Sequence, residues 1–328
     1  TTGTDNVAIG DSAGDALTSG SHNTFVGDNA GSAVSTASNN TAVGADALLV
    51  NTTGTKNQAF GGAAGDALTT GSNNIAIGYE ALTSDTQGSK TVAVGVGALA
   101  VQNFTTATDV YNVGVGHDAG VATTTGSANT FIGGLAGKSN TTASNNTAVG
   151  RSALESNTTA SNNTAVGRSA LVNNSTGASN TALGYAALTA NTTAASNVSI
   201  GADSMTTNTT GAENVAVGAS SLYTNATTNY NVAIGAGALY TNAAANNTAV
   251  GYHALFANTT GDTNVAVGAN ALDANTTGSS NVSVGKGALG ANTTADSNVA
   301  VGYDSLALNT TGHSNVAVGR SAMLANTT

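Results

Sequence analysis

Cysteine, proline and tryptophan are absent from the chain, and lysine and arginine together number only seven. Without cysteine there are no disulfides and no thiol-ligated metals, so stability has to come from stacking, while the redox compartment is left open. No proline-rich linker, composition shift or charge block interrupts the chain, which overrides the two domains that 328 residues would otherwise suggest. Seven cations against seventeen acidic residues give a net charge of −10, and the clustered basic surface needed for nucleic acid or an anionic membrane is missing. The acidity is dilute, with 7% of residues charged, and reads as a solubility feature. No apolar run approaches the roughly 18 to 20 residues of a membrane span. Residues 1–30 carry neither a basic start nor a hydrophobic signal segment. The chain begins and stops in neighbouring phases of one repeat, which suggests a fragment of a longer protein.

What the chain does contain is one pentapeptide, Asn-(Val/Thr)-Ala-(Val/Ile)-Gly, returning along its whole length. The closing glycine falls at 10, 27, 44, 61, 78 and 95, at 116, 133, 150, 167, 184, 201, 218 and 235, and at 251, 268, 285, 302 and 319. The step is 17 residues, except for 21 between Gly95 and Gly116 and 16 between Gly235 and Gly251. So short and regular a repeat specifies a stacked solenoid. The expected fold is all-β, a parallel β-roll or β-solenoid of about nineteen 17-residue coils forming one continuous array over 1–328.

Within one repeat, the residue before the glycine is always apolar, and Val43, Val149, Val217 and Val318 are expected to form an inward ladder. On that reading Val217→Asp places an unpaired charge inside the coil. An Ala-Leu pair three and four residues after the glycine, with Leu48, Leu154 and Leu272 among its members, supplies a second inward wall. Asn-Thr-Thr-Gly then provides a corner whose Asn and Gly suit positive φ. Each coil is therefore expected to be two short strands and two corners, and nineteen coils at the strand spacing would make a rod of roughly 90 Å. The Asn before each pentapeptide strand, as at Asn6, Asn40, Asn146, Asn214 and Asn315, is replaced only by Thr91, and stacked asparagines predict a hydrogen-bonded ladder. Because the pentapeptide strand is apolar on both faces, something should cover both. Another copy of the chain is the simplest cover, which favours a homo-oligomer and, first among these, a trimer.

Asn-Val-Ala-Val-Gly-Ala-Ser-Ser-Leu (214–222) and Asn-Thr-Ala-Val-Gly-Arg-Ser-Ala-Leu (163–171) resemble the Ala-Ile-Gly-x-x-Ala head repeats of trimeric autotransporter adhesins of the YadA type. They are equally similar to the Asn-Thr-Ala-Val-Gly-Tyr-x-Ala-Leu arrays of phage tail fibres and related surface fibres. The resemblance covers essentially the whole chain. It implies a left-handed parallel β-roll in which three chains pack side by side, with the Val/Ile position inward and the glycine turning the corner. The period here is longer than is usual for such heads, and no neck, heptad stalk, membrane-anchor barrel or self-cleaving chaperone domain is present in the sequence.

The candidate chemical groups are scattered. His22, His117, His253 and His313 occupy four different registers, so neither a metal site nor a catalytic triad is expected. No cofactor is expected either. Acidic residues after the glycine share their positions with Arg151, Arg168, Lys286 and Arg320, as an exposed corner would. The glycine-aspartate nonapeptides of calcium-binding rolls are absent. Asn51, Asn157, Asn191 and Asn208 match the glycosylation sequon, though a repeat generates such matches automatically. Tyr79, Tyr185, Tyr252 and Tyr303, each one place after the glycine, mark edges where sugars could stack. The 21-residue interval, carrying Phe104, Asp109 and Tyr111, must bulge and could serve recognition. The Thr pairs of the corners raise a third possibility, ice binding by a monomeric solenoid.

The reading is a non-enzymatic, extracellular structural fibre segment at a cell or virion surface. It would act as a rigid shaft or adhesin head that associates with itself and meets a surface glycan or host receptor. The alternatives are a glycan-binding adhesin using the Tyr edges and an ice-binding solenoid using Thr ladders.

Overall fold

A computed structural model describes residues 2–327. They form two compact units, Thr1–Asn163 and Thr164–Thr328. Each is a parallel β-solenoid. The first carries nine repeat strands, from Val7–Ile9 to Thr147–Val149, and the second ten, from Thr164–Val166 to Val316–Val318. Every repeat strand is three residues long. Neighbouring strands pair in parallel at the repeat period, as where Val215, Ala216 and Val217 face Val232, Ala233 and Ile234. No described residue is helical.

Both ends of the strand have a local cause. At its start, the pentapeptide Asn turns its side chain back on the corner: Asn214 Nδ2 donates to the Thr228 carbonyl at 2.8 Å, and its Oδ1 accepts the Asn231 backbone N–H at 2.9 Å. Asn40 and Asn146 do the same, on the Gly54 and Ala160 carbonyls and the Asn57 and Asn163 N–H groups. Asn6 bonds the Gly20 carbonyl and the Asn23 N–H. The ladder thus ties side chain to backbone more than side chain to side chain. Near the open end of the second unit, Asn315 receives support through its own N–H, which donates to Asn298 Oδ1.

At the strand's end the glycine sits at φ near 131°, as at Gly218, and a Cβ there would stand 2.6 Å from the carbonyl of Gly235 one coil on. Only glycine meets both demands, which accounts for its presence in every repeat.

The interior corrects the expected direction of the valines. It is the central alanine of each strand that is fully buried, as Ala42, Ala148 and Ala216 are, while Val43, Val149 and Val217 are half-buried and Val318 is exposed. The layer between the strand and the returning chain is one side chain thick. Leu48, Leu154 and Leu272 fill it from the far side, all fully buried as expected, and leave room opposite only for a methyl group. Gly114, Ser199 and Ser283 replace this alanine by residues of similar or smaller size, and the two larger replacements confirm the reason. Phe25 and Phe131 replace the inward alanine, and there the opposite wall becomes glycine: a Cβ on Gly31 would lie 2.6 Å from the Phe25 ring, and one on Gly137 2.4 Å from Phe131. Gly14, Gly31, Gly120 and Gly137 are thus the complement of a larger residue across the core.

A second strand is not formed either. The Ala-Leu segment is a chain of turns in which the second and fourth residues after the glycine take positive φ, as Asp203 (54°) and Met205 (50°) do. Alternate left-handed residues stop strand alternation, so Ala and Leu, adjacent in sequence, both reach the interior. The glycine of the Asn-Thr-Thr-Gly corner, by contrast, does not have positive φ, and Ala143, Ala160 and Ala194 hold the same position in other coils.

Candidate binding surfaces

Three surfaces are built by this coil: the outward face of the strands, the corner with its insertion, and a column of exposed residues after the glycine.

The outward face follows from the three-residue strand. With alanine inward, the first and third residues of each strand point out together. The third column is Val, Ile, Leu or Phe throughout, and the first is Val, Ile or Thr apart from Gln58. Neither column contains a charged residue. Within the stacks these side chains keep substantial exposure, 38% at Phe60 and Ile77 and 45% at Leu183. Each unit therefore presents an uncharged sheet face whose third column is apolar throughout and whose first is mixed, with Thr24, Thr41, Gln58, Thr130 and Thr147 in the first unit and Thr164, Thr181 and Thr248 in the second.

The corner holds a second asparagine ladder that the sequence pattern concealed inside Asn-Thr-Thr. Asn208 Nδ2 donates to Asn191 Oδ1 at 3.1 Å and to the Gly211 carbonyl at 2.9 Å, and Asn275 repeats this with Asn258 and Gly278. All four sequon asparagines, Asn51, Asn157, Asn191 and Asn208, are fully buried, so a glycan on that nitrogen would require the corner to open. Asn51 lies between Val34 and Leu68 in this ladder, and its Nδ2 is buried with no partner.

The first Thr of each pair spends its hydroxyl on the next coil. Thr209 donates to the Ala226 carbonyl, and Thr259 and Thr276 to the Thr276 and Thr293 carbonyls, at 2.7–3.0 Å. Only the second, as at Thr210, Thr260 and Thr277, remains exposed without a bond of this kind.

At the 21-residue interval the exceptions to both ladders come together. Gly88–Ser89 and Thr108–Asp109 pair as a short two-stranded sheet. Asp85 takes the corner Asn position, is fully buried, and accepts from the Gly88 N–H (3.1 Å), the Phe104 N–H (3.0 Å) and Gln102 Nε2 (2.6 Å). Gln102 also donates to Thr91 Oγ1 and accepts from Asn112 Nδ2. Thr91 breaks the first ladder where Asp85 and Gln102 break the second, and together they moor the insertion. Phe104 is half-buried against this anchor, whereas Tyr111 is exposed and lies under the Lys90 ammonium, which also pairs with Asp109 at 2.6 Å. The structure thus places Phe104 and Tyr111 on one bulge.

Burial pushes the Asp85 carboxyl above its ordinary range, outweighing the three N–H donors that favour the anion. Burial also raises Asp66 and Asp273, which are partly covered. A carboxyl whose folded pKa exceeds its unfolded one binds its proton more tightly in the folded state, so stability rises as pH falls through the folded value and levels off below the unfolded one. Thermal midpoints are therefore expected to rise, not fall, from about pH 7 to about pH 4. A midpoint that drops steadily over that interval would sink this assignment.

Tyr79, Tyr185, Tyr252 and Tyr303 are all exposed, in one column of the repeat. Their surroundings differ. The Arg168 guanidinium lies 5.8 Å over the Tyr185 ring, and Tyr303 has Lys286 at 5.8 Å and Arg320 at 5.5 Å. The Glu80 carboxylate beside Tyr79 raises its hydroxyl pKa. Tyr252 instead stacks on His253, with centroids 3.8 Å apart.

Among the described residues there is no cleft or cavity, and no group of three or more His, Asp or Glu side chains is close enough to hold a metal. No protein-family model matches the chain, and no curated protein matches it.

Proposed function

We propose that the chain is a segment of an extracellular, non-enzymatic structural fibre at a cell or virion surface, a shaft or adhesin head built from three copies packed through their strand faces. The observation that carries this reading is the uncharged outward face with its unbroken apolar third column. Each of nine strands in the first unit contributes two outward side chains, eighteen in all, against roughly 20–30 residues a side in a standard interface. A sheet face left to water normally alternates to polar residues, and exposed apolar patches of this extent mark interaction sites. The period supports a copy of the same chain as occupant. A face ruled at one side-chain pair per coil is matched by another ruled identically, and a closed ring of parallel copies covers every such face.

The mechanism is geometric. Coil number sets length, while backbone bonds and the asparagine ladder at the strand start join neighbouring coils within each unit, the corner ladder adding to them mainly in the second, and resist local opening. Such a fibre would meet its receptor or surface glycan at the corners, the insertion and the post-glycine column. The resemblance to trimeric adhesin heads and tail-fibre arrays points to the same assembly, with the outward valines turned toward the shared axis.

Because Val217 and Val265 point out of the coil, Val217→Asp with Val265→Asp is expected to leave the coil's circular dichroism intact. Association should weaken by more than about tenfold. Loss of β structure before any loss of association would show that these valines support the coil interior and would overturn the reading.

A further inference from the structure

Of the thirteen aromatic residues in the chain, four gather with one histidine at a single place in the second unit. Tyr223, Tyr240 and Phe256, each five residues after its glycine, stack with centroids 5.0 Å apart and planes inclined by 3° and 13°. Tyr240 has a ring on each face, and Tyr223, half-buried, has one face against Tyr240. Phe256 is also packed against His253 at 4.4 Å, and His253 lies face to face with Tyr252 at 3.8 Å and 15°.

Tyr252 is thus the outermost ring of a braced stack. Its neighbours in the repeat column are Ala236 and Ala269, which are too short to cover a ring. Among the described residues its one ring contact is His253, and it is 56% exposed. The other tyrosines of the column lack this combination of a fixed ring and a bare face, since cations lie over Tyr185 and Tyr303 and a carboxylate engages the hydroxyl of Tyr79. Beside the cluster, Asp273 continues the Phe256 column one coil on.

We infer that Tyr252, braced by His253 and flanked by Asp273, is a stacking subsite for a neutral hexopyranose unit of an exposed polysaccharide. The ring of such a sugar has one face lined with C–H groups, which packs on an aromatic face, while its hydroxyls suit a carboxylate acceptor and an imidazole. Bracing fixes the orientation of Tyr252 before the ligand arrives, so little side-chain entropy is lost on binding. The open platform, without a cleft, suits a sugar inside a long chain, held weakly at each site and tightly only when many sites act together. The site belongs to one chain and stands independently of the fibre assembly.

The test is saturation-transfer NMR on the full chain with neutral tetrasaccharides of glucose, galactose, mannose and N-acetylglucosamine. At least one should bind saturably with a dissociation constant on the order of 1 mM. Tyr252→Ala should weaken that binding by about tenfold, Tyr252→Phe should retain it, and Tyr185→Ala should leave it unchanged. Alanine already stands at this position in the two adjoining coils, so the variant is compatible with the fold, which circular dichroism will verify. Absence of saturable binding across the panel, or equal binding by Tyr252→Ala and the unaltered chain, would overturn the inference.

Discussion

Gly218→Ala is expected to be among the most damaging single substitutions available in the second unit, lowering its stability by about 4 kcal/mol or more. Two costs coincide there. The backbone holds φ at 131°, a region that residues with a Cβ scarcely enter, and the added carbon would stand 2.6 Å from the Gly235 carbonyl. That carbonyl cannot retreat, because the coils on both sides are pinned by short bonds, Val215 N–H to the Asn231 carbonyl at 2.8 Å and Gly218 N–H to the Ile200 carbonyl at 2.7 Å. The control lies in the same unit. Gly290 does not have positive φ, a Cβ there would come no closer than 3.2 Å to the Gly287 carbonyl, and aspartate and alanine hold its position at 273 and 307, so Gly290→Ala is expected to cost less than about 1 kcal/mol. Urea unfolding of the two variants gives the comparison. Equal midpoints would mean that the motif glycine is not a conformational requirement.

Phe25→Ala is expected to cost about 3–5 kcal/mol. The ring fills space that glycine vacates on both sides, with hypothetical Cβ atoms on Gly14 and Gly31 only 2.7 and 2.6 Å from it. In most other coils that volume is held by leucine at the same backbone position, with φ of 51° at Leu48 and 54° at Leu154, so leucine at 31 meets no new backbone demand. Gly31→Leu alone should collide with Phe25 and destabilise by overpacking. Combined with Phe25→Ala it restores the Ala-Leu pairing of the other coils. The double variant should therefore be more stable than either single one, with a coupling energy of about 1–3 kcal/mol in a double-mutant cycle. Additivity of the two changes would refute size exchange across the core.

The period made the parallel stack and its register readable from the sequence. A step of 17 residues places Val215 beside Val232 and Val198, and no other topology keeps identical residues in line over so many repeats. Leu48, Leu154 and Leu272 were readable as interior for the same reason. The direction of Val217 was not, because Val-Ala-Val is apolar at every position and hydrophobicity alone selects the larger residue as the buried one. What decides is the thickness of the coil, set from the far side by leucines whose left-handed backbone is uncommon for their type and carries no sequence signal. The second asparagine ladder was hidden because Asn-Thr-Thr-Gly also reads as a turn. Its side-chain bonds connect residues 17 apart, as Asn208 with Asn191, and a search for turn chemistry looks only at near neighbours. The buried Asp85 could have been flagged as the lone acidic member of that ladder position. Among the tyrosines, the column neighbours that distinguish Tyr252 follow from the period, but the His253 brace depends on φ of 52° at that residue, which only the structure supplies.

Sedimentation equilibrium of the unaltered chain is the most direct test of the assembly through the strand faces. The account predicts a mass three times the 31.4 kDa of one chain, persisting at high salt because the contact is apolar and uncharged. A single-chain mass with full β structure would contradict it, since the outward valines and isoleucines of both units would then stand in water without a partner.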